Sequence, residues 1–291
     1  MHLSYKPMYC EISGLVLEVQ GGSDYLKSCM SEYTLPLQQE RERICDLGIS
    51  IQGLQEIPKP CGENLYDYGI WKMVRTNQED SVYRTLPGSD QIVSARMDFK
   101  ESRTNISVFC TENIGVEKRD FIFTGQAFSQ MVLQHQRMVL HGSCIAYNGK
   151  AIIFSAPSGT GKSTHTELWK KYYPETIHIN DDTPVLRLDN PDEVLACGSP
   201  WSGKTRLNTN ISVPLAAIVF LEQGKENCIS SLSKIEAIGR VLGEARKIPF
   251  RHAMMEAAEL CGQLLERVPV YRLSCDISRE AVETVRKELK L

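Results

Sequence analysis

The sequence predicts an α/β protein with a mixed α+β sheet, in which a smaller β-rich N-terminal domain (residues 1–120) precedes a larger domain (residues 121–291). Three observations support this prediction. Short alternating strands with turn signals between them fill the first part. A glycine-rich loop follows a buried strand and opens a helix in the second part. A tight hairpin comes directly before that loop, where a doubly wound fold would have a parallel, helix-connected strand.

The composition is that of an ordinary globular protein. The 291 residues are 42% hydrophobic and carry a formal net charge of -3, so nothing global favours nucleic acid or a membrane surface as a partner. No apolar run approaches the roughly 20 residues of a spanning helix. The ten cysteines are scattered without a C-x-x-C pair, which argues against a zinc ribbon. We expect them to be reduced and mostly buried in a cytoplasmic protein.

Short strands dominate the predicted first domain. Residues 12–19 alternate as one strand before a Gly21-Gly22 turn, and residues 24–30 suit a short helix. The polar stretch 37–44 suits either a helix or a solvated loop. Further strands are predicted at residues 69–75, 81–86, 91–98 and 106–111. No stretch of this domain carries a chemical motif, so we interpret it as a scaffold or recognition sheet.

The stretch AIIFSAPSGTGKST at residues 151–164 organises the second domain. Its apolar start predicts a buried strand, glycines and a proline then break regular structure, and a helix follows. Such a turn forms an anion-binding nest of backbone N–H groups at a helix N-terminus. The pattern is G-x-x-x-x-G-K-[ST], with Ala156 in the first glycine position. The expected nucleotide-binding residues are Ser158, Gly159, Thr160, Gly161, Lys162, Ser163 and Thr164. Lys162 would reach the β/γ phosphates of ATP, and the Ser163 hydroxyl would bind Mg²⁺.

An acidic pair follows the next predicted strand, which covers residues 176–180. Asp181 and Asp182 stand at its C-terminal end. Neighbouring side chains in a strand point to opposite faces, so both can reach one site only if the strand ends there. Turn capping by Asp is the alternative. Their position, one helix after a phosphate loop, favours a metal-holding pair.

A second loop, GSPWSGKTRLNTN at residues 198–210, follows a hairpin predicted at residues 185–188 and 194–197. It combines small residues with two cations. Ser202, Lys204 and Arg206 are its candidates for contacting phosphate or substrate. A surface loop anchored by Trp201 fits the same pattern equally well.

The remaining second-domain elements are predicted from periodicity and caps. They are a helix leading into a strand (121–140), a hairpin (143–147 and 150–155, turning at Asn148-Gly149), a core strand (214–221), two helices (231–246 and 252–268), a last strand (270–275) and a last helix (279–289). The segment 248–250 breaks the chain between the two helices. Four cations are candidates for stabilising charge at the site, and their sequence positions do not distinguish among them: Lys247, Arg251, Arg267 and Arg272.

The run from His141-Gly142 through the hairpin and SGTGKS to Asp181-Asp182 resembles the catalytic domain of the HPr kinase/phosphorylase family, which is related to PEP carboxykinases. In that family a His-Gly pair, a β-hairpin, S-G-x-G-K-S, a helix and a strand ending in Asp-Asp follow in this order. The specific resemblance covers about residues 138–190. The tail VPVYRLSCDISREAVETVRKEL is similar to that of HPr kinase-like proteins of peptide-modification clusters, among them lasso-peptide kinases.

The resemblance implies a PEP carboxykinase-like P-loop domain and an ATP- and Mg²⁺-dependent kinase. His141 matches the family's active-site histidine, while Lys162 and Ser163 match its phosphate and Mg²⁺ ligands. In the acidic pair, Asp181 is expected beside the metal and Asp182 as general base on the acceptor hydroxyl. The expected acceptor is a serine-type hydroxyl on a peptide or protein. A homo-oligomer is expected by the same analogy.

The chain departs from the family at one place. HPr kinases carry Glu-x-Arg-Gly after the acidic pair, where this chain has Leu195-Ala196-Cys197-Gly198. This departure argues against HPr as substrate and against phosphorolysis, and the sequence leaves open whether phosphorolysis occurs. Two other functions stay open. One is an ATP-binding regulatory or peptide-binding protein, which would bind ATP without transferring it. The other is a small-molecule kinase or carboxykinase-like enzyme of the same superfamily.

Overall fold

The structure is a computed structural model of the chain. It describes residues 6–36, 45–68, 71–76, 79–85, 92–100, 104–111, 118–246 and 251–291. These residues form a mixed α/β fold with two mixed sheets and six α-helices. They divide into two compact units, Met1–Met131 and Val132–Leu291. The domain boundary predicted between residues 120 and 121 stays a prediction. The stretches 37–44 and 248–250 lie outside the described residues.

The first unit contains a mixed sheet and two of the helices. Its described elements are β1 (Met8–Ile12), β2 (Leu15–Gln20), α1 (Asp24–Met30), β3 (Leu47–Leu54), β4 (Glu63–Tyr68), β5 (Trp71–Arg75), β6 (Glu79–Thr85), β7 (Ile92–Lys100), β8 (Asn105–Thr111) and α2 (Arg119–Met131). The strand order is β1-β2-β3-β8-β7-β6-β5-β4. Strand β3 pairs in parallel with β2 and β8, and the other neighbours are antiparallel. Helix α2 packs on β3, β7 and β8.

The single strand predicted over residues 12–19 is wrong, because the chain turns there. Ser13 and Gly14 have φ angles of 50° and 79°, the left-handed pair of a type I′ hairpin turn. Strand β1 therefore folds back on β2. A serine with positive φ is uncommon, so the Ser-Gly dipeptide gave only a weak turn signal.

The second unit contains the other mixed sheet. Its described elements are β9 (Arg137–Val139), β10 (Ser143–Tyr147), β11 (Lys150–Ser155), α3 (Lys162–Tyr172), β12 (Ile177–Asn180), β13 (Val185–Arg187), β14 (Leu195–Cys197), β15 (Ser212–Gln223), β16 (Cys228–Ser231), α4 (Lys234–Glu244), α5 (Arg251–Arg267), β17 (Val270–Cys275) and α6 (Arg279–Glu288). The main path is β12-β10-β11-β15-β14-β13-β9, with β17 also paired to β15 and β16 to β17. The pairs β11–β15 and β15–β17 are parallel, and the others are antiparallel.

Both hairpins predicted in this unit are confirmed. Strands β10 and β11 are antiparallel, and their turn residues Asn148 and Gly149 have φ angles of 48° and 71°. Those two positive values are the signature of the expected type I′ turn. Strands β13 and β14 also pair antiparallel.

Helices α3 and α6 pack on the centre of this sheet. Trp169 of α3 and Val285 of α6 share one buried cluster with Ile152 and Phe154 of β11. Trp169 and Phe154 are fully buried, and burial of a large apolar side chain contributes about 1.5–3 kcal/mol. This packing fixes the start of α3 relative to the end of β11. The glycine-rich loop joins those two points.

Among the helices of the described ranges, not one combines the length and the apolar character needed to cross a membrane.

Candidate active site

The glycine-rich loop links β11 to α3. Gly159 and Gly161 have φ angles of 85° and 112°, and Gly161 is the N-cap of α3. Among the described residues, no atom lies within 4 Å of a Cβ built on either glycine. The buried Lys162 reaches back across the loop and donates to the Ala156 carbonyl at 2.8 Å. The loop thus combines open space, a helix N-terminus and a cation, as a phosphate cradle requires.

The other predicted nucleotide-binding residues lie on the outside of the loop or on the first turn of α3. Ser158 and Thr164 are exposed. Thr160 donates to the Pro157 carbonyl from both its N–H, at 3.3 Å, and its hydroxyl, at 2.8 Å. These bonds hold the turn in its shape without occupying the space beside the two glycines.

Strand β12 ends at Asn180, whose side chain turns the chain. Its Oδ1 accepts hydrogen bonds from the N–H groups of Asp182, at 2.9 Å, and Thr183, at 2.6 Å. Asp181 and Asp182 therefore follow the strand and are not held to opposite faces of the sheet. This is the condition under which sequence analysis expected both acids to reach one site.

Asp181 is nearly buried, at 7% exposure, and contacts the first turn of α3, directly after the glycine-rich loop. Its Oδ2 accepts a hydrogen bond from Ser163 Oγ at 3.0 Å and another from Thr205 Oγ1 at 2.9 Å. Its Oδ1 accepts from Ser143 Oγ at 2.6 Å. The two residues predicted to bind Mg²⁺, Ser163 and Asp181, are therefore in direct contact.

The donor chemistry at this contact fits Mg²⁺. A hydroxyl and a carboxylate are hard oxygen ligands, and Mg²⁺ typically takes one or two carboxylates, several waters and substrate phosphate oxygens. In the part of the chain that the structure describes, no three or more His, Cys, Asp or Glu side chains are arranged to hold a metal. A Mg²⁺ site of this kind does not need such a cluster.

Asp182 lies beside the predicted histidine. His141 Nε2 is 3.5 Å from Asp182 Oδ1, and Arg246 Nη2 is 3.7 Å from the same oxygen. The other ring nitrogen, Nδ1, lies 2.7 Å from Glu244 Oε2. Gly142 donates its N–H to the Asp182 carbonyl at 3.0 Å, and a Cβ built on it would lie only 2.7 Å from a neighbouring side chain. That side chain is Ile153 of β11, so the absence of a Cβ at Gly142 lets the residue after His141 pack closely on β11.

Lys162 interacts electrostatically with the acidic residues of the site. Burial is the main influence and lowers the pKa of its ammonium. The carboxylates of Glu244, Asp182 and Asp181 act in the opposite direction, and Arg246 adds to the lowering. All of these groups are therefore close enough to Lys162 to interact with its charge.

The loop 198–210 covers both acids. Thr205 bonds to Asp181. Gly203, with a φ of 69°, packs on Asp182, where a Cβ on the glycine would lie 2.9 Å from the Asp182 Cβ. A side chain at this glycine would therefore displace Asp182.

The predicted contact residues of this loop differ in exposure. Ser202 is buried and accepts a hydrogen bond from Asn208 Nδ2 at 2.8 Å, and Trp201 beside it is buried too. Lys204 and Arg206 are exposed. The loop is thus anchored at Trp201 and Ser202. Contact of Ser202, Lys204 or Arg206 with phosphate or substrate stays a prediction.

The cation near Asp182 is one that sequence analysis did not propose. Arg267 donates to backbone carbonyls that follow β13, and Arg272 pairs with acids on β15 and α4. Arg251 is the first residue of α5, and Lys247 lies outside the described residues. Arg246 contacts Asp182 instead.

Ser143, Thr205 and Glu244 were not predicted from the sequence either. Ser143 and Thr205 had a usable signal, because each stands one or two residues from a predicted site residue. Glu244 had none, since 103 positions separate it from His141. Only the fold brings those two residues together.

A cavity of about 510 Å³ adjoins the loop on its β15 side. It is lined by residues 157–160 of the loop, residues 221–223 at the end of β15, and Arg240 of α4. Arg240 pairs with Glu222 at 2.5 Å, and its guanidinium lies 5.6 Å from the centre of the Phe220 ring. The cavity therefore has two charged side chains, Glu222 and Arg240, at its border.

Residues 122–290 match the family model described as SynChlorMet cassette protein ScmC. The match covers more than half of the chain, which therefore belongs to the ScmC family. No curated protein matches the chain. The family description names a cassette and gives no chemical activity.

Proposed function

We propose that this protein is an ATP- and Mg²⁺-dependent kinase with a PEP carboxykinase-like, HPr kinase-like P-loop domain. One observation carries the proposal. Ser163 Oγ, in the first turn of α3 after the glycine-rich loop, lies 3.0 Å from the Asp181 carboxylate, and the buried Lys162 directly precedes it. A hydroxyl, a carboxylate and an ammonium at a glycine-rich turn are the groups that bind a metal-associated triphosphate.

The two acids differ in exposure, and this favours different roles. Asp181 is buried under three hydroxyl groups, whereas the Asp182 side chain is 33% exposed. A buried, oriented carboxylate suits a metal ligand. A carboxylate at the surface of the site can meet an incoming hydroxyl. We assign Mg²⁺ binding to Ser163 and Asp181, and the general-base role to Asp182.

Phosphoryl transfer depends mainly on positioning and charge neutralisation. The loop N–H groups and Lys162 would bind the β and γ phosphates, and Mg²⁺ bound by Ser163 and Asp181 would supply further neutralisation. Asp182 would orient the acceptor hydroxyl and take its proton. The acceptor oxygen then bonds to the γ-phosphorus while the bond to the bridging oxygen breaks and ADP leaves.

The cavity beside the loop is our proposed site for the nucleoside part of ATP. In the sheet, β12 and its acidic pair lie on one side of β11, and β15 lies on the other. If the γ-phosphate meets Asp182, the nucleoside extends away from the acids. The cavity bordered by β15 and Arg240 lies in that direction. Changing Arg240 to Ala should therefore weaken ATP binding about tenfold, as calorimetric titration would measure.

The acceptor rests on the family resemblance. We propose a serine-type hydroxyl on a peptide or protein, acted on by a cytoplasmic enzyme that forms a homo-oligomer. The cassette in the family description is compatible with a substrate encoded nearby. A short precursor peptide encoded beside the gene would favour peptide phosphorylation.

Transfer of γ-labelled phosphate tests the proposal. The purified chain is incubated with Mg²⁺, labelled ATP and a library of serine-containing peptides, with a matched library in which alanine replaces serine. Label should enter only the serine library. Tight binding of Mg²⁺-ATP without transfer or hydrolysis would favour the regulatory alternative. ATP consumption stimulated by small metabolites, and by neither library, would favour a small-molecule kinase.

Asp182→Asn tests the proposed base. It should lower kcat by about 10²–10⁴, the range of general acid–base contributions, with unchanged affinity for ATP. The matched control is Asp192→Asn, which makes the same change at an exposed carboxylate. Equal turnover in the Asp182 variant and the control would remove Asp182 from this role.

A further inference from the structure

The segment after α4 is held against His141 by the backbone. Helix α4 ends at Glu244, and the C-cap Ala245 is extended, with φ -64° and ψ 128°. Ala245 forms an antiparallel bridge with Leu140. His141 N–H donates to the Glu244 carbonyl at 2.9 Å, and Arg246 N–H donates to the Val139 carbonyl at 2.8 Å. The Glu244 side chain therefore stands beside the His141 ring because two paired segments align them.

The two nitrogens of the His141 ring face different carboxylates at different distances. Nδ1 lies 2.7 Å from Glu244 Oε2, a charge-assisted hydrogen-bond distance. Nε2 lies 3.5 Å from Asp182 Oδ1, too far for a strong bond. A carboxylate accepts only, so Nδ1 must carry the hydrogen. In the neutral ring, Nε2 then has a lone pair directed toward Asp182.

We propose that Glu244 is a positioning residue that fixes the Nδ1–H tautomer of His141 and so makes Nε2 a proton acceptor for Asp182. The proposal rests on the proposed kinase function. The acceptor O–H bond breaks and its proton joins the Asp182 carboxylate. The new O–H bond on Asp182 then breaks as an N–H bond forms at His141 Nε2. The resulting imidazolium is paired with Glu244, and Asp182 is again a carboxylate.

The contacts of Glu244 favour this role over a purely structural one. Its backbone carbonyl already fixes the segment through the His141 N–H. Its side chain is free to make a second, chemically distinct contact with the ring of the same residue. Removing the side chain therefore leaves the backbone pairing in place. The other charges facing this group are Asp182, Arg246 and Lys162, and none of them contacts Nδ1 in the described structure.

Nitrogen NMR of the full chain, labelled with ¹⁵N-histidine and free of nucleotide, tests the tautomer directly. The six histidines are resolved by comparison with His141→Gln. The native chain should show Nδ1–H at His141. In Glu244→Ala, the remaining acceptor is Asp182, so the Nε2–H tautomer should appear. Glu244→Asp should restore Nδ1–H at least in part, and Glu259→Ala, at an exposed position on α5, should change nothing.

Kinetics supply the second test. Glu244→Ala should lower kcat about 10- to 100-fold, by analogy with the loss of groups that orient metal-bound histidines, with KM for ATP unchanged. An Nε2–H tautomer in the native chain, or the same tautomer with and without Glu244, would overturn the proposal. Absence of transfer in the native chain would overturn the kinase function. The NMR result would still show whether Glu244 fixes the tautomer of His141.

Discussion

Replacing Asp181 with Asn tests the centre of the site without changing its shape. The carboxylate is nearly buried and accepts hydrogen bonds from the hydroxyls of Ser143, Ser163 and Thr205 at 2.6, 3.0 and 2.9 Å. An asparagine keeps one oxygen acceptor and places an NH₂ donor where the second oxygen was. At least one hydroxyl must then rotate from donor to acceptor, and every bond loses its charge assistance.

The expected cost follows from these contacts. A hydrogen bond to a charged group contributes about 1.5–3 kcal/mol and a neutral one about 1 kcal/mol, so three weakened bonds cost about 1.5–6 kcal/mol. Removing a buried charge offsets part of this loss, because its desolvation penalty disappears. We expect a net destabilisation of about 1–2 kcal/mol, which lowers Tm by about 2–8 °C for a unit of this size.

Thermal unfolding measures this effect in the absence and presence of Mg²⁺ and ATP. The native chain should gain stability from Mg²⁺-ATP, by about 2.7 kcal/mol at a free ligand concentration of 100 Kd. In Asp181→Asn, the part of this gain that requires Mg²⁺ should be lost. Asp192→Asn provides the control, because it alters an exposed carboxylate and should leave both Tm values unchanged.

Two outcomes would refute the reasoning. An unchanged Tm in the ligand-free variant would mean that the three hydroxyl contacts contribute nothing to stability. A preserved Mg²⁺ response would mean that Asp181 does not bind the metal, even though Asp181 contacts Ser163.

Three further predictions concern thiols, glycines and a buried histidine. The ten cysteines are thiols that form no disulfide, and only Cys61 and Cys228 are exposed, so a thiol reagent at pH 8 should modify two sites quickly in the native chain and ten after unfolding. Gly161 has a φ of 112°, so Gly161→Ala should lower the free energy of unfolding by about 1–3 kcal/mol and weaken ATP binding. Gly239 lies inside α4 with open space around it, so Gly239→Ala should raise the free energy of unfolding by up to about 1 kcal/mol. Burial lowers the pKa of His165 to about 4. As pH falls below about 6.5, the unfolded chain therefore protonates His165 before the folded chain does. The free energy of unfolding should decline by about 3 kcal/mol between about pH 6.5 and pH 4. Urea unfolding at several pH values measures this decline, which His165→Gln should remove; an equal decline in that variant would assign it to other groups.

Local chemistry made several features of the second unit predictable. The Asn148-Gly149 turn requires two positive φ angles, and only a few residue types accept them, so the dipeptide marked the hairpin. The glycine-rich loop was visible for the same reason. The polar end of a buried strand marked Asp181, which does contact Ser163. Each of these signals lies within a few residues of the feature that it predicts.

Contacts between distant segments were not predictable from such signals. The alignment of Glu244 with His141 depends on the point at which α4 ends and on the bridge from Ala245 to Leu140. Neither has a sequence signature, because Ala245 is not a usual helix-stopping residue. The cation near Asp182 was missed for the same reason, since Arg246 belongs to that segment.

The antiparallel strand β10 explains how a histidine upstream of the loop reaches the acids downstream of it. Strand β10 lies between β11 and β12 and runs against both. Its first residue, Ser143, pairs with Phe154 near the end of β11, and Cys144 pairs with Asn180 at the end of β12. The start of β10 therefore lies at the same end of the sheet as the two strand ends that lead to the glycine-rich loop and the acidic pair. With a parallel strand in the same place, His141 would stand at the opposite edge, and neither Asp182 nor the loop would be within its reach.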